Sequence, residues 1–147
     1  MNIYYHPLYT KGIDSKSTFP KERYDLIKDA LAVNELSNTI AIKTPNKVAI
    51  NDIYRAHSKH YVDAFLSSSL SDKQVREIGL KPWSDKIIDR TLFLTGGSVS
   101  ALYDIYKGAP VSANMAGGTH HAFSERGSGF CIFNDIAICA IKAIEYY

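Results

Sequence analysis

Two adjacent histidines, His120 and His121, lie in the stretch AGGTHHAFSERGSGFC, which covers residues 116–131. Histidine titrates near neutral pH, so one imidazole can take a proton from a water molecule while the other stays charged. Neighbouring residues on an irregular loop can both face one cavity, whereas neighbours on a strand point to opposite faces. The pattern indicates an acid/base pair, and two surface histidines in a glycine-rich loop are the alternative.

Glycines flank the two histidines on both sides. Gly117 and Gly118 precede them, and Gly127 and Gly129 follow. Because glycine has no Cβ, it lets the backbone turn sharply and approach a ligand closely. These glycines favour a binding loop around the histidines.

Two further histidines, His57 and His60, are three residues apart on a predicted helix and could share a face. A usual catalytic zinc site has three protein ligands, and no third ligand is evident near this pair. We therefore predict no metal site there.

The elements that must position the histidines alternate between strand and helix patterns. β-prone runs cover 2–6 and 39–45, and a buried strand over 109–118 leads into the histidines. Apolar spacing predicts helices over 21–33, 58–68, 70–79, 85–107 and from residue 134 or 135 to the end. The alternation indicates an α/β fold with a parallel sheet, in which functional loops follow the strands.

Two features of the predicted helices concern packing. Gly96 and Gly97 lie inside the helix over 85–107, where each costs about 1 kcal/mol relative to alanine, so close packing is expected there. After its first residues the final helix reads IAICAIKAIEYY, in which only Lys142 and Glu145 are charged, and such a helix is normally covered by other structure. Since the chain stops at Tyr147, we expect an interrupted domain.

The composition excludes several function classes. A net charge of +2 with scattered lysines and arginines does not favour nucleic-acid binding. No apolar run approaches the roughly 20 residues that span a bilayer, and the N-terminus does not resemble a secretory signal. Cys131 and Cys139 are too few for a disulfide framework. We expect a cytoplasmic protein without membrane contact.

The segment GGTHHAFSERGSGFCIFNDIAICA resembles the signature segment of the histone deacetylase superfamily, whose members are arginase-like α/β metal-dependent amide hydrolases. STFPKERYDLI, AHSKHYVDAFL and IGLKPWSDKIIDRTLFLTGGSVSALYDI resemble further segments of that superfamily in the same order, the last one especially in class IV-like bacterial members. A histidine often precedes the Phe-Pro pair in the family, where this chain has Ser17 and Thr18, which leaves the entrance loop around Phe19 open. The resemblance implies a three-layer α/β/α fold with a parallel sheet, of which residues 1–147 are the N-terminal part.

The resemblance also implies roles for individual residues. His121 would be the general base that deprotonates the attacking water and the acid that protonates the leaving amine, and His120 would assist electrostatically. Gly129 and Phe130 would form the wall of a tunnel that binds the acyl-lysine stem. Cys131 would lie beside them towards the acyl end, and the alternative for Cys131 is a small buried hydrophobic residue.

Four residues are expected to support the loop rather than touch substrate: Gly117, Gly118, Asn134 and Asp135. Asn134 and Asp135 would also cap the final helix. In the family the metal ligands belong to an Asp-x-Asp-x-His segment on later strands, which this chain does not reach. The resemblance thus implies zinc for the complete domain and no metal ligand in this chain, with zinc versus iron left open.

These expectations combine into a zinc-dependent hydrolysis of an acyl-amide. The substrate would be acetylated lysine in a protein or a small acetylated amine, the latter in the manner of an acetylpolyamine amidohydrolase. We expect the 147-residue chain to be inactive alone. The alternative is a truncated, non-catalytic interaction module, and the expected protein partners are the missing C-terminal half or further copies of the chain.

Overall fold

A computed structural model describes residues 1–33 and 38–146, and its centre is a parallel three-stranded sheet. The strands are β1 (Asn2–Tyr4), β2 (Ala41–Lys43) and β3 (Ser112–Asn114), in the order β2-β1-β3. Ile3 lies opposite Ile42 on one side and Ala113 on the other. The predicted α/β class and parallel pairing are confirmed, although each strand is shorter than the sequence pattern suggests.

Seven helices lie in the described ranges: α1 (Leu8–Lys11), α2 (Arg23–Val33), α3 (Ile50–Ala56), α4 (Lys59–Leu66), α5 (Asp72–Ile78), α6 (Ile87–Tyr106) and α7 (Asp135–Tyr146). Five of these match predicted helices, and the last residue of the predicted final helix, Tyr147, lies outside the described residues. Helices α1 and α3 were not predicted. Each buries a single side chain, Tyr9 and Ile53 respectively, so neither leaves an amphipathic pattern in the sequence.

Local capping signals set the ends of two predicted helices. The Ser58 side chain accepts a hydrogen bond from the backbone N–H of Tyr61 at the start of α4. Ser71 and Gln74 form a reciprocal capping box at the start of α5. Gly79 ends α5 in the left-handed conformation with φ of 84°, which glycine adopts without strain.

The two glycines inside α6 are packed against backbone and polar side chains, as predicted. A Cβ on Gly96 would lie 1.9 Å from the backbone oxygen of Asn46. A Cβ on Gly97 would lie 2.5 Å from Oδ1 of Asn114. The absent side chains let α6 pass directly against the chain before α3 and against the end of β3.

Two predictions about burial were wrong. Strand β3 is half-buried rather than buried, since it is one of the two edge strands of the sheet in the described part of the chain. Helix α7 packs on α3 and α6, but Ile136 and Ile144 on its other face are 52% and 78% exposed. Among the described residues no element covers that face.

The core lies between the sheet, α6 and the loop that precedes α7. Its fully buried members include the aromatic side chains of Tyr9, Tyr61, Phe65 and Phe133. Phe133 makes edge contacts with both Tyr61 and Phe65, at centroid distances of 5.9 and 5.1 Å. Since Phe133 belongs to the segment that carries the two histidines, these contacts pack that segment onto α4. No helix in the described ranges is long and apolar enough to cross a membrane.

Candidate active site

The two histidines lie on the irregular segment between β3 and α7, residues 115–134, which we call the histidine loop. The rings of His120 and His121 are 4.2 Å apart between centroids and inclined by 41°. Nδ1 of His120 is 2.9 Å from the carbonyl oxygen of Gly118. Because a carbonyl only accepts, Nδ1 carries the hydrogen, and Nε2 of the neutral ring is left as the proton acceptor.

The carboxylate of Asp135 anchors the first half of the histidine loop. It is 1% exposed and accepts hydrogen bonds from the backbone N–H groups of Gly118 at 3.0 Å and Thr119 at 2.7 Å. The hydroxyl of Ser98 on α6 donates to the same carboxylate. One buried charge therefore ties the residues just before His120 to α6 and α7.

Asn134 anchors the second half of the histidine loop. Its Oδ1 accepts from the backbone N–H of Ala137 at 3.0 Å, which caps α7. Its Nδ2 donates to the carbonyl oxygens of Ala122 at 3.1 Å and His120 at 3.5 Å. Asn134 thus links the helix start to the backbone on either side of His121.

A cavity of about 280 Å³ lies beside the histidines. It is lined by Phe19, Arg23, Tyr24, Arg90, Leu94, Ala116, Gly117, Gly118, Thr119, His120, His121, Gly129, Phe130 and Cys131. Seven of the nine candidate site residues from the sequence therefore line this cavity. The other two, Asn134 and Asp135, support it from behind.

Phe130, which also lines the cavity, has an uncommon backbone conformation. Gly129 and Phe130 have φ of 52° and 68°, a left-handed conformation that strains a bulky residue. The Phe130 N–H donates to the carbonyl of Ile78 at 2.7 Å, which holds the turn in place. A Cβ on Gly129 would lie 3.2 Å from the His121 ring, so the glycine lets this turn approach the histidine.

Phe19 joins Phe130 in the cavity lining from the far end of the chain. Its ring meets Phe130 edge to face at a centroid distance of 5.2 Å. Phe19 belongs to the Phe-Pro segment whose position was left open by the sequence. The structure places it at the cavity.

Arg90 is the most deeply buried charged residue among the cavity residues that the sequence did not single out. It is 3% exposed, its Nε donates to the carbonyl of Tyr9 at 3.2 Å, and no carboxylate of the described residues forms an ion pair with it. Burial lowers the pKa of its guanidinium. Its position three residues after Ile87 and four before Leu94, on the apolar face of α6, was the available signal.

The electrostatic character of the cavity follows from its lining. Arg23 and Arg90 join the two histidines there, and no aspartate or glutamate is among the lining residues. Arg90 is buried, whereas Arg23, His120 and His121 are exposed to solvent, which screens charges, so Arg90 contributes most to the field inside the cavity. The described part of the site therefore favours an anionic group or one that becomes anionic during reaction.

Comparison with known proteins identifies the family. The model of the histone deacetylase domain matches residues 17–147. The chain belongs to the histone deacetylase family. It is 36% identical over 144 residues to an uncharacterised protein of Picosynechococcus, covering 97% of this chain and 47% of that protein. Histone deacetylase clr6 of Schizosaccharomyces pombe is 30% identical over 128 residues, covering 80% of this chain and 31% of that protein.

Human histone deacetylase 1 is similarly related, with 30% identity over 122 residues that cover 76% of this chain and 25% of that protein. The chain thus spans about half the length, or less, of these curated relatives. The incomplete sheet agrees with an arginase/deacetylase-like fold of which a part is present.

The family implies a zinc ion, whose ligands would be His, Cys, Asp or Glu side chains. Within residues 1–33 and 38–146 no group of three or more His, Cys, Asp or Glu side chains is placed to hold a metal ion. His57 is buried and His60 is exposed, so they do not share a face. The described residues do not supply the three ligands of a catalytic zinc.

Cys131 is buried at 6% exposure, with Sγ 3.5 Å from the carbonyl oxygen of Gly129. Burial raises the pKa of its thiol, so the group is protonated at neutral pH. In this state it lines the cavity as a small apolar side chain.

Proposed function

We propose that the deacetylase chain contributes the proton-transfer residues of a metal-dependent amide hydrolase that removes acetyl groups from lysine side chains of proteins. The observation that carries the proposal is the cavity that His120 and His121 line together with Phe130. A polarising metal such as zinc lowers the pKa of a water and stabilises charge at a carbonyl. Its ligands would come from outside the described residues.

The proton movements use the two histidines. His121 accepts a proton from the water that adds to the acyl carbon, and then donates it to the amine nitrogen as the C–N bond breaks. The products are a carboxylic acid and an amine, which exchange a proton to become a carboxylate and an ammonium group. His120, held by its Nδ1–H to the Gly118 carbonyl, keeps its ring beside His121, and a proton taken up on its Nε2 would let it donate to the reacting oxygen.

The cavity supports a small acyl group on a flexible stem. Its volume of about 280 Å³ is near the lower end of the roughly 300–1,000 Å³ of small-molecule sites. The edge-to-face pair of Phe19 and Phe130 offers an apolar surface for the methylenes of a lysine. Arg90 and Arg23 complement the carboxylate product. A small acetylated amine, such as an acetylpolyamine, is the second substrate candidate because it presents the same acetamide and methylenes.

The experiment compares three preparations: the 147-residue chain, the chain mixed with the C-terminal half of a relative, and a continuous polypeptide in which the chain is fused to that half. Each is supplied with zinc and assayed on an acetyl-lysine peptide and an acetylpolyamine. We expect turnover only when the second half is present, and its loss in His121→Ala. Robust turnover by the 147-residue chain alone would refute the assignment of the metal ligands to another segment.

The second candidate function is an interaction module without catalysis. The open apolar face of α7, with Ile136 and Ile144 exposed, favours it. Zinc-loaded continuous polypeptide that binds neither substrate and turns over neither would support this function against the first.

A further inference from the structure

A buried histidine that the proposed chemistry does not use lies beneath the histidine loop. His57, at the end of α3, is 3% exposed, and its Nε2 accepts a hydrogen bond of 2.9 Å from the backbone N–H of Asn134. A ring nitrogen that accepts carries no hydrogen, so the neutral ring has its proton on Nδ1. The accepted bond exists only in this neutral form.

The partner of His57 is the residue on which the second half of the histidine loop depends. Asn134 caps α7 through Ala137 and binds the carbonyls of Ala122 and His120. The next residue, Asp135, holds the backbone on the other side of the histidines. A displacement of the Asn134 backbone therefore moves both anchors of the two histidines together.

The surroundings of His57 favour the neutral ring. The rings of Tyr61 and Phe133 pack against it at centroid distances of 6.0 and 5.3 Å. Burial lowers the pKa of His57, and this effect is larger than the opposite effect of the nearby backbone of Phe123 and Ser124. The Nδ1 atom makes no well-formed hydrogen bond. Tyr61 is the titratable side chain facing the ring, and burial raises its pKa, so it stays neutral under physiological conditions.

We propose that His57 is a positioning residue that fixes the histidine loop in its neutral form and releases it when protonated. A proton on Nε2 would turn the acceptor into a donor that faces the Asn134 N–H donor. The bond is then lost, and the start of α7 loses its tie to α3. The effect on turnover rests on the proposed function, whereas the effect on the loop does not.

Two variants separate the acceptor from the size of the side chain. In His57→Gln the side-chain oxygen can take the place of Nε2 as an acceptor, and it does not titrate between pH 5 and 8. In His57→Leu the acceptor is absent and the bulk is similar. His60→Gln, an exposed histidine on α4, is the matched control.

The measurement is amide hydrogen exchange of Asn134 in the 147-residue chain, corrected for intrinsic rates, from pH 5 to 8. We expect wild type and His60→Gln to lose at least tenfold protection towards pH 5. His57→Gln should keep its protection throughout, and His57→Leu should lack it at every pH. If His57→Leu does not fold, as judged by circular dichroism, the pH independence of His57→Gln decides.

Protection in His57→Leu equal to wild type would overturn the proposal. A pH dependence in His57→Gln like that of wild type would also overturn it. Because exchange is read without substrate, these outcomes are distinct from a failure of the proposed deacetylase activity. In an active preparation, the acid limb of kcat should shift to lower pH in His57→Gln with KM unchanged.

Discussion

Replacing Asp135 by asparagine tests whether one buried carboxylate holds the histidine loop. The side chain keeps its size, but one acceptor oxygen becomes an NH₂ group. That group must face the N–H of Gly118 or of Thr119, which now lie 3.0 and 2.7 Å from carboxylate oxygens. A donor then opposes a donor inside the protein.

The expected magnitude follows from these contacts. Loss of a hydrogen bond to a charged acceptor costs about 1.5–3 kcal/mol, and a buried donor left without a partner costs about 1–3 kcal/mol. We expect Asp135→Asn to lower the free energy of unfolding by about 3–5 kcal/mol. A domain has about 5–15 kcal/mol in total, so the variant is strongly weakened.

The assay is urea unfolding followed by circular dichroism at pH 7.5, with hydrogen exchange at Gly118 and Thr119. Asp29→Asn is the control, because Asp29 is exposed on α2 and pairs only with Lys28 among the described ion pairs. Its effect should stay within about 0.5 kcal/mol. A loss below about 1 kcal/mol in Asp135→Asn, with unchanged exchange at the two amides, would refute the anchoring role.

Three further predictions concern packing, acid and thiol chemistry. Gly96→Ala should lower the free energy of unfolding by about 3 kcal/mol or more in the same urea assay, because the new Cβ would overlap backbone atoms. The control is Gly108→Ala, which has open space around the new Cβ but a φ of 89°, and it should cost about 1 kcal/mol. Similar losses in both would contradict this. Burial lowers the pKa of His57 and also that of His6, which is less buried. As the pH falls, these two histidines therefore become protonated in the unfolded chain before they do so in the folded chain. Stability should therefore be constant above about pH 7.5 and decline below pH 6.5, by at most about 1.4 kcal/mol per pH unit for each histidine; urea midpoints that rise on acidification would contradict the sign. Iodoacetamide should modify Cys131 at least tenfold more slowly in the folded than in the urea-unfolded chain at pH 7.5, by peptide mass spectrometry, and equal rates would show an open thiol.

Features with local causes could be predicted from the sequence. Ser58, Ser71 and Gly79 mark helix ends by hydrogen bonds within a few residues, and the structure has these ends in place. The glycines of α6 were also interpretable, because glycine inside a helix needs a packing reason. Helix α3 was not predicted because Ile53 is its one buried residue, so its sequence shows no helical spacing of apolar residues.

The same distinction between local signals and tertiary packing applies to the residues of the candidate site. The two histidines and their flanking glycines are adjacent in the chain, so the sequence showed them together. The approach of Phe19 to Phe130 depends on tertiary packing between distant segments, and no local pattern encodes it. Arg90 lies on the apolar face of α6, and the sequence pattern does not indicate that its side chain lines the cavity.

The edge-to-face contact of Phe19 with Phe130 gives the cavity two parts with different folding requirements. The brace from Asp135 to Gly118 and Thr119 closes a short loop, which costs little chain entropy. The contact between Phe19 and Phe130 forms only when the N-terminal segment packs against the histidine loop, and the two residues are far apart in the sequence. The histidines are therefore held mainly by contacts of short sequence separation, whereas the surface that would select an acyl group depends on packing between distant segments.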